Sequence, residues 1–228
     1  MIIILHGENT IKSRDKLVKL INKFKTDNYS VVRLEAKKLE LPELEETLLK
    51  TNLFGDQEII LIEELHSLPK SNKKNQLIEL VSTTNRTVIL WEKRTLTKTM
   101  LKKFSQAETE EFKLSNSLFS WLDLFHPQTP LPKNLLALAK AIETNGDYMC
   151  LVMLIRQISL LIYIKDGGSP AGAPFMISKL KKQAQYFSLN QLLTIHEKLF
   201  KLDQKMKASQ NYLTLSQELD VLTTTLYS

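Results

Sequence analysis

The feature that most restricts the fold is a set of short, wholly apolar runs. Ile59-Ile60-Leu61-Ile62 has no polar break, and Ile2-Ile3-Ile4-Leu5 is built the same way. A strand with one face in water alternates polar and apolar side chains, whereas a strand covered on both faces has no need to. Both runs therefore predict strands of a parallel sheet covered on both sides. Residues 30–35 (Ser-Val-Val-Arg-Leu-Glu) and 87–91 predict two more strands, and residues 110–113 a short fifth. Helical spacing lies between them: Leu17, Val18, Leu20, Ile21 and Phe24 in 13–25, and Leu77, Ile78, Leu80 and Val81 in 73–82. Pro42 suits the first turn of a helix running to Lys50, and residues 97–104 predict another. Strands separated by helices imply crossover units, and so a three-layer α/β domain with a mainly parallel sheet.

Beyond residue 113 the pattern changes. Residues 118–125 make an apolar helical turn or two, stopped by His126-Pro127-Gln128-Thr129-Pro130-Leu131-Pro132. Helices are expected over 133–144, 147–165, 175–186, 188–207 and 211–226, with Asn145-Gly146 ending the first, Asp147 and Ser188 as N-caps, and a Gly- and Pro-rich loop over 166–174. The expected organisation is an α/β domain over residues 1–116, a linker over 117–132 and an all-α domain over 133–228.

At 228 residues, 43% hydrophobic and 25% charged, the chain has an ordinary globular composition. One cysteine, Cys150, excludes a disulfide within the chain and fits a reducing compartment; amid Tyr148, Met149, Leu151 and Val152 it reads as a core thiol. Residues 1–132 carry 20 basic against 18 acidic side chains, and residues 133–228 carry 11 against 7. An excess so mild and spread predicts weak, salt-sensitive help in DNA contact, not sequence readout. The apolar stretches 149–155 and 158–164 are split by Arg156-Gln157 and read as buried helix, not a membrane span. No basic leader or cleavage site opens the chain, so a cytoplasmic protein with no membrane partner is expected.

A nucleotide hydrolase needs a Gly-rich loop after its first strand, with backbone amides around the phosphates, a Lys on the terminal phosphate and a Ser or Thr on magnesium. Gly7-Glu8-Asn9-Thr10-Ile11-Lys12-Ser13 has the first glycine and a Lys-Ser pair, but no glycine before the lysine, and Glu8 adds negative charge where phosphates would lie. Glu63-Glu64 resembles the acidic strand end of such an enzyme, yet without the loop reads as two surface carboxylates. His6, His66, His126 and His196 are scattered, and one cysteine makes no thiolate cluster, so no metal or other cofactor is expected. Trp91-Glu92-Lys93 reads as a core Trp flanked by solvated charges. Thr51-Asn52-Leu53-Phe54-Gly55 places two large apolar side chains just before the strand at 58–62. They either plug the base of the sheet or stand exposed as an aliphatic–aromatic anchor for another protein.

Several segments, in order, resemble the delta subunit of the bacterial DNA polymerase III clamp loader. They are Ile3-Ile4-Leu5-His6-Gly7-Glu8-Asn9; Asn52-Leu53-Phe54-Gly55 followed by Glu58-Ile59-Ile60-Leu61-Ile62-Glu63; and Val88-Ile89-Leu90-Trp91-Glu92-Lys93 with Leu96 and Lys98. In the helical half they are Leu154-Ile155-Arg156-Gln157-Ile158, Gln183-Ala184-Gln185-Tyr186-Phe187-Ser188 and Leu202-Asp203-Gln204-Lys205-Met206-Lys207. The resemblance implies an AAA+-like α/β domain without ATPase activity, a small helical lid and a helical collar domain that joins a five-membered ring. Between Phe112 and the Pro-rich connector there is no room for the lid, so it implies either a reduced delta subunit lacking the lid or a relative with a simplified role.

The resemblance further implies that Leu53 and Phe54 enter an apolar pocket of the sliding clamp and that ATP is bound by other subunits. The implied partners are the clamp, the ATPase and delta-prime subunits of the loader, and primed DNA through the complex. Two such side chains, well buried, contribute about 3–5 kcal/mol. Leu151, Leu154, Ile158, Leu161 and Ile162 are candidates for docking to partner subunits or for internal packing, and Lys179, Lys181 and Lys182 for approach to DNA phosphates or for a solvated face. The rival readings are an ATPase or nucleotide-binding protein with a degenerate phosphate loop, and a DNA-binding structural protein.

Overall fold

The computed structural model describes residues 1–50, 57–208 and 213–227. The chain divides into two compact units, Met1–Lys113 and Leu114–Ser228.

In the first unit the elements run β1 (Ile2–His6), α1 (Thr10–Thr26), β2 (Ser30–Glu35), α2 (Leu41–Leu49), β3 (Glu58–Glu63), α3 (Asn72–Thr83), β4 (Thr87–Glu92), α4 (Lys98–Leu101) and β5 (Glu108–Glu111). The sheet has the order β2-β3-β4-β1-β5, and every pairing is parallel. The apolar runs account for this. Ile4, Ile60, Ile62, Val88 and Leu90 face one way, into a core shared with Leu44 of α2 and Leu77, Ile78 and Val81 of α3. Ile3, Leu5, Ile59, Leu61, Ile89 and Trp91 face the other way, onto Leu17 and Ile21 of α1. A strand with a core on each side has no position for a polar residue, and β1 and the centre of β3 contain none that reach water. The predicted three-layer parallel domain is thus observed.

β5 is the exception. It was expected at 110–113 and lies two residues earlier, pairing Ile3 with Glu108 and His6 with Glu111. All four of its residues are exposed. An edge strand with no buried side carries no hydrophobic pattern from which to read its register.

The second unit is helical: α5 (Asn116–Leu124), α6 (Leu131–Asn145), α7 (Asp147–Lys165), α8 (Pro174–Ala184), α9 (Leu189–Lys207) and α10 (Leu215–Thr224). The helical turn or two expected at 118–125 is observed as α5, which occupies much of the segment 117–132 expected as a linker and whose Trp121 and Leu122 are buried along with Phe125. Trp121 meets Phe125 edge to face at 6.0 Å between ring centres. Asn145, at the end of α6, fastens the start of α5: its Oδ1 accepts from the Ser115 amide at 3.0 Å and its Nδ2 donates to Ser115 Oγ at 2.7 Å. The division of the chain therefore falls at Lys113/Leu114.

α7 is the centre of this unit and packs on all five of the other helices. By length and composition it resembles a membrane-crossing helix. Here Met149, Cys150, Leu151, Leu154, Ile158 and Leu161 form its buried side. Cys150 is fully buried, and desolvation pushes its thiol up to about 12.

Candidate functional site

In parallel α/β sheets ligands bind beyond the carboxyl ends of the strands, where neighbouring strands send their connections in opposite directions. Here that place lies between β1 and β4. β1 leads into α1 on one face, and β4 leads to residues packed on the other. Their last residues, His6 and Glu92, are register partners.

The loop leaving β1 is where a phosphate would be held. Gly7 has φ 131°, and a Cβ there would meet the Phe112 carbonyl oxygen at 2.3 Å. Glycine is required because the chain after β5 lies against the loop. The contacts are polar: Phe112 N–H donates to the His6 carbonyl at 2.7 Å, and Asn9 N–H donates to the Phe112 carbonyl at 2.9 Å. The Gly7 amide donates to Arg94 O at 3.1 Å, and the Ser13 amide to Asn9 O at 3.1 Å. Asn9 also caps α1, its Oδ1 accepting from the Lys12 amide at 3.1 Å. A phosphate-binding loop works by turning such amides on the ligand. In this chain they bond to its own carbonyl and side-chain oxygens. Ser13, fully buried, donates its hydroxyl to Thr10 O at 3.1 Å and accepts from Trp91 Nε1 at 3.1 Å.

The two carboxylates that end β3 are neutralised by basic side chains. Arg14 of α1 holds Glu63 with both guanidinium nitrogens, at 2.8 and 2.6 Å, while its plane lies 3.6 Å above the Trp91 ring. The Arg14 hydrogen bonds keep the Glu63 carboxyl below its ordinary range. Glu64 pairs with Lys93 and sits at φ 62°, its amide donating to Trp91 O at 2.8 Å.

Glu92 corrects the expectation of solvated charges around Trp91. Trp91 is core, as expected, but Glu92 is fully buried too. Its Oε1 accepts from the His66 amide at 2.7 Å and lies 3.0 Å from His66 Nδ1. The His66 carbonyl in turn accepts from Lys74 Nζ at 2.6 Å and from Arg94. Burial lowers the Lys74 ammonium from its usual value. His6, likewise lowered by burial, accepts from the Leu96 amide at 3.2 Å. This network ties the turn after β3 to the end of β4. Among the described residues no three His, Cys, Asp or Glu gather as a metal site.

In the helical unit, Leu151, Leu154, Ile158 and Leu161 are all fully buried, so the packing role is the one the structure gives them. Lys179 pairs with Asp123 at 2.7 Å, and Lys181 and Lys182 are exposed. Leu53 and Phe54 lie outside the described residues. Their flanks are defined: α2 ends at Leu49, β3 begins at Glu58, and Gln57 O accepts from the Ser30 amide at 2.9 Å.

No protein-family model matches the chain, and no curated protein does. Among solved structures the chain is similar to the DNA clamp loader delta protein of Bacillus subtilis. The likeness covers 99% of this chain and 95% of that one, at 14% identity and a TM-score of 0.47.

Sequence reasoning missed two features of the strand ends. The His66–Glu92–Lys74 network joins residues up to 26 positions apart; only the chance that an acid ending a buried strand is itself buried hinted at it. The Arg14–Glu63 pair spans 49 positions. An Arg one turn into α1, facing a carboxylate at the end of a neighbouring strand, was its signal.

Proposed function

We propose that this chain is a non-catalytic clamp-loader subunit that binds and opens the sliding clamp of a replicative DNA polymerase, with Leu53 and Phe54 as the clamp-binding residues. The observation that carries this reading is the closed loop after β1. A parallel α/β domain retains the layout of a nucleotide hydrolase, while the amides of Gly7, Asn9, Lys12 and Ser13 bond within the chain. The acidic end of β3 bonds to Arg14 and Lys93. Such a domain is suited to gripping a partner. The segment before β3, Asn52-Leu53-Phe54-Gly55, supplies the grip by its resemblance to the clamp-contacting element of delta subunits.

In this mechanism the chain contributes a difference in binding, not chemistry. Burial of Leu53 and Phe54 favours the clamp conformation with one interface open, because a ligand shifts an equilibrium by its differential affinity for the two states. ATP acts through partner subunits in the cytoplasm, and DNA is met through the assembled complex.

The test is capture of the purified sliding clamp of the source organism. Leu53→Ala with Phe54→Ala is expected to lower clamp affinity at least a hundredfold, the loss of about 3 kcal/mol of buried apolar surface, with an unchanged circular dichroism spectrum. Loss of fold in the double variant would show instead that the pair plugs the sheet.

A further inference from the structure

The positive charge of the first unit is drawn into a row by α1. Lys12, Lys16, Lys19 and Lys23 recur at i, i+4, i+7 and i+11. At 3.6 residues and 5.4 Å per turn they fall within about 60° of one another and form a stripe about 16 Å long. All four are exposed, while Leu17 and Ile21 hold another side of the helix against the sheet. The acid that meets the stripe is Glu110 of β5, 3.0 Å from Lys16 Nζ, with Glu108 two places before it and Asp15 beside Lys16 in α1. Among the described residues no carboxylate pairs with Lys19 or Lys23. Such a row is unfavourable in a helix that serves only itself. Like charges at i, i+3 and i, i+4 repel, and α1 has no acid in its first turn to offset Lys12 at the positive end of the helix dipole. α9 shows the ordinary alternative: Glu197 and Asp203 stand four places before Lys201 and Lys207 and bond them at 2.6 Å each.

We infer that the lysine stripe of α1 is a docking surface for the phosphate backbone of duplex DNA. Three chemistries fit a basic face, and the composition of this one separates them. A membrane helix needs a free apolar side, and that of α1 is sealed under the sheet. Protein interfaces favour aromatic anchors and are depleted of lysine, and the stripe offers lysine alone. Phosphates are evenly spaced charges that a lysine meets as a point charge. At one phosphate per about 3.4 Å of axis on each strand, the stripe runs beside about five of them. It holds no Arg, Asn or Gln to read base edges, so the contact is independent of sequence. The choice of DNA over another evenly charged polymer rests on the proposed function.

The test is fluorescence anisotropy of a labelled duplex of about 20 base pairs, titrated with the full chain at several salt concentrations. Three to four phosphate contacts predict that affinity falls about 40- to 150-fold between about 50 and 200 mM NaCl. Lys19→Gln with Lys23→Gln is expected to flatten the log–log salt slope by about 2, leaving a fall of about 3- to 12-fold. Lys19→Arg with Lys23→Arg keeps the charge and is expected to keep the slope. Lys181→Gln with Lys182→Gln removes the same charge from the exposed face of α8 and is expected to change the slope little. An unaltered chain that does not bind the duplex at low salt overturns the inference, as does an unchanged slope in the Lys19/Lys23 glutamine variant. An equal flattening in the Lys181/Lys182 variant overturns it too, because the attraction would then be that of net charge. So does competition by polyglutamate as effective as that by unlabelled duplex, the mark of an acidic protein partner. Clamp capture is a separate assay. A chain that captures the clamp and not the duplex sinks this inference alone, and one that binds the duplex and not the clamp sinks the proposed function.

Discussion

Arg14 does three things at one place. It closes on Glu63 with two hydrogen bonds, covers the Trp91 ring and brings α1 down on the end of β3. A carboxyl whose folded value is depressed contributes stability that is complete above its unfolded value, about pH 4.3, and is lost as pH falls through the folded one. Arg14 is 40% exposed on its side chain, so water screens the pair and its worth stays near the top of the surface range, about 1 kcal/mol. Glu63→Gln is therefore expected to lower the urea unfolding free energy by that amount at neutral pH. The gap to the unaltered chain should begin to close below about pH 4. Urea titrations of both proteins across that span make the comparison, and a gap that stayed constant would mean that ionisation of Glu63 contributes nothing.

At the scale of elements, the β1–α1 loop shows how a strand–turn–helix can turn its amides onto its own oxygens. Gly7→Ala puts a methyl group against the Phe112 carbonyl at a φ that L side chains rarely adopt. It is expected to destabilise the first unit by about 2–4 kcal/mol, read as a lowered denaturant midpoint with an unchanged slope. A midpoint within error of the unaltered chain would show that the loop moves freely away from Phe112. The elements themselves were legible in the sequence wherever burial was two-sided or periodic. β1, β3 and β4 announce themselves as unbroken apolar runs, and α1 and α3 as stripes ending near their observed limits. β5 lies two residues before its expected place because four exposed side chains have no pattern, and α5, expected as a helical turn or two at 118–125, was assigned to the linker because the prolines after it drew the domain boundary there. The strand-end network was illegible for a different reason: Glu92 and His66 meet only when β3 and β4 are side by side.

The whole molecule consists of two units that each enclose their own core. In the first, the sheet is covered on both faces by helices from the same unit; in the second, α7 is surrounded by its five companions. Residues 1–113 alone are accordingly expected to unfold in urea as one cooperative transition and, on the proposed function, to keep their affinity for the clamp. A sloping, non-cooperative transition would show that the first unit needs the second to fold. The sealed thiol of α7 has a practical corollary. Buried, with its thiol pushed up to about 12 by desolvation, Cys150 offers a maleimide dye no target on the folded chain. A fluorophore can then be attached at any cysteine introduced on the surface with the native thiol left in place, and the folded chain can be followed one molecule at a time.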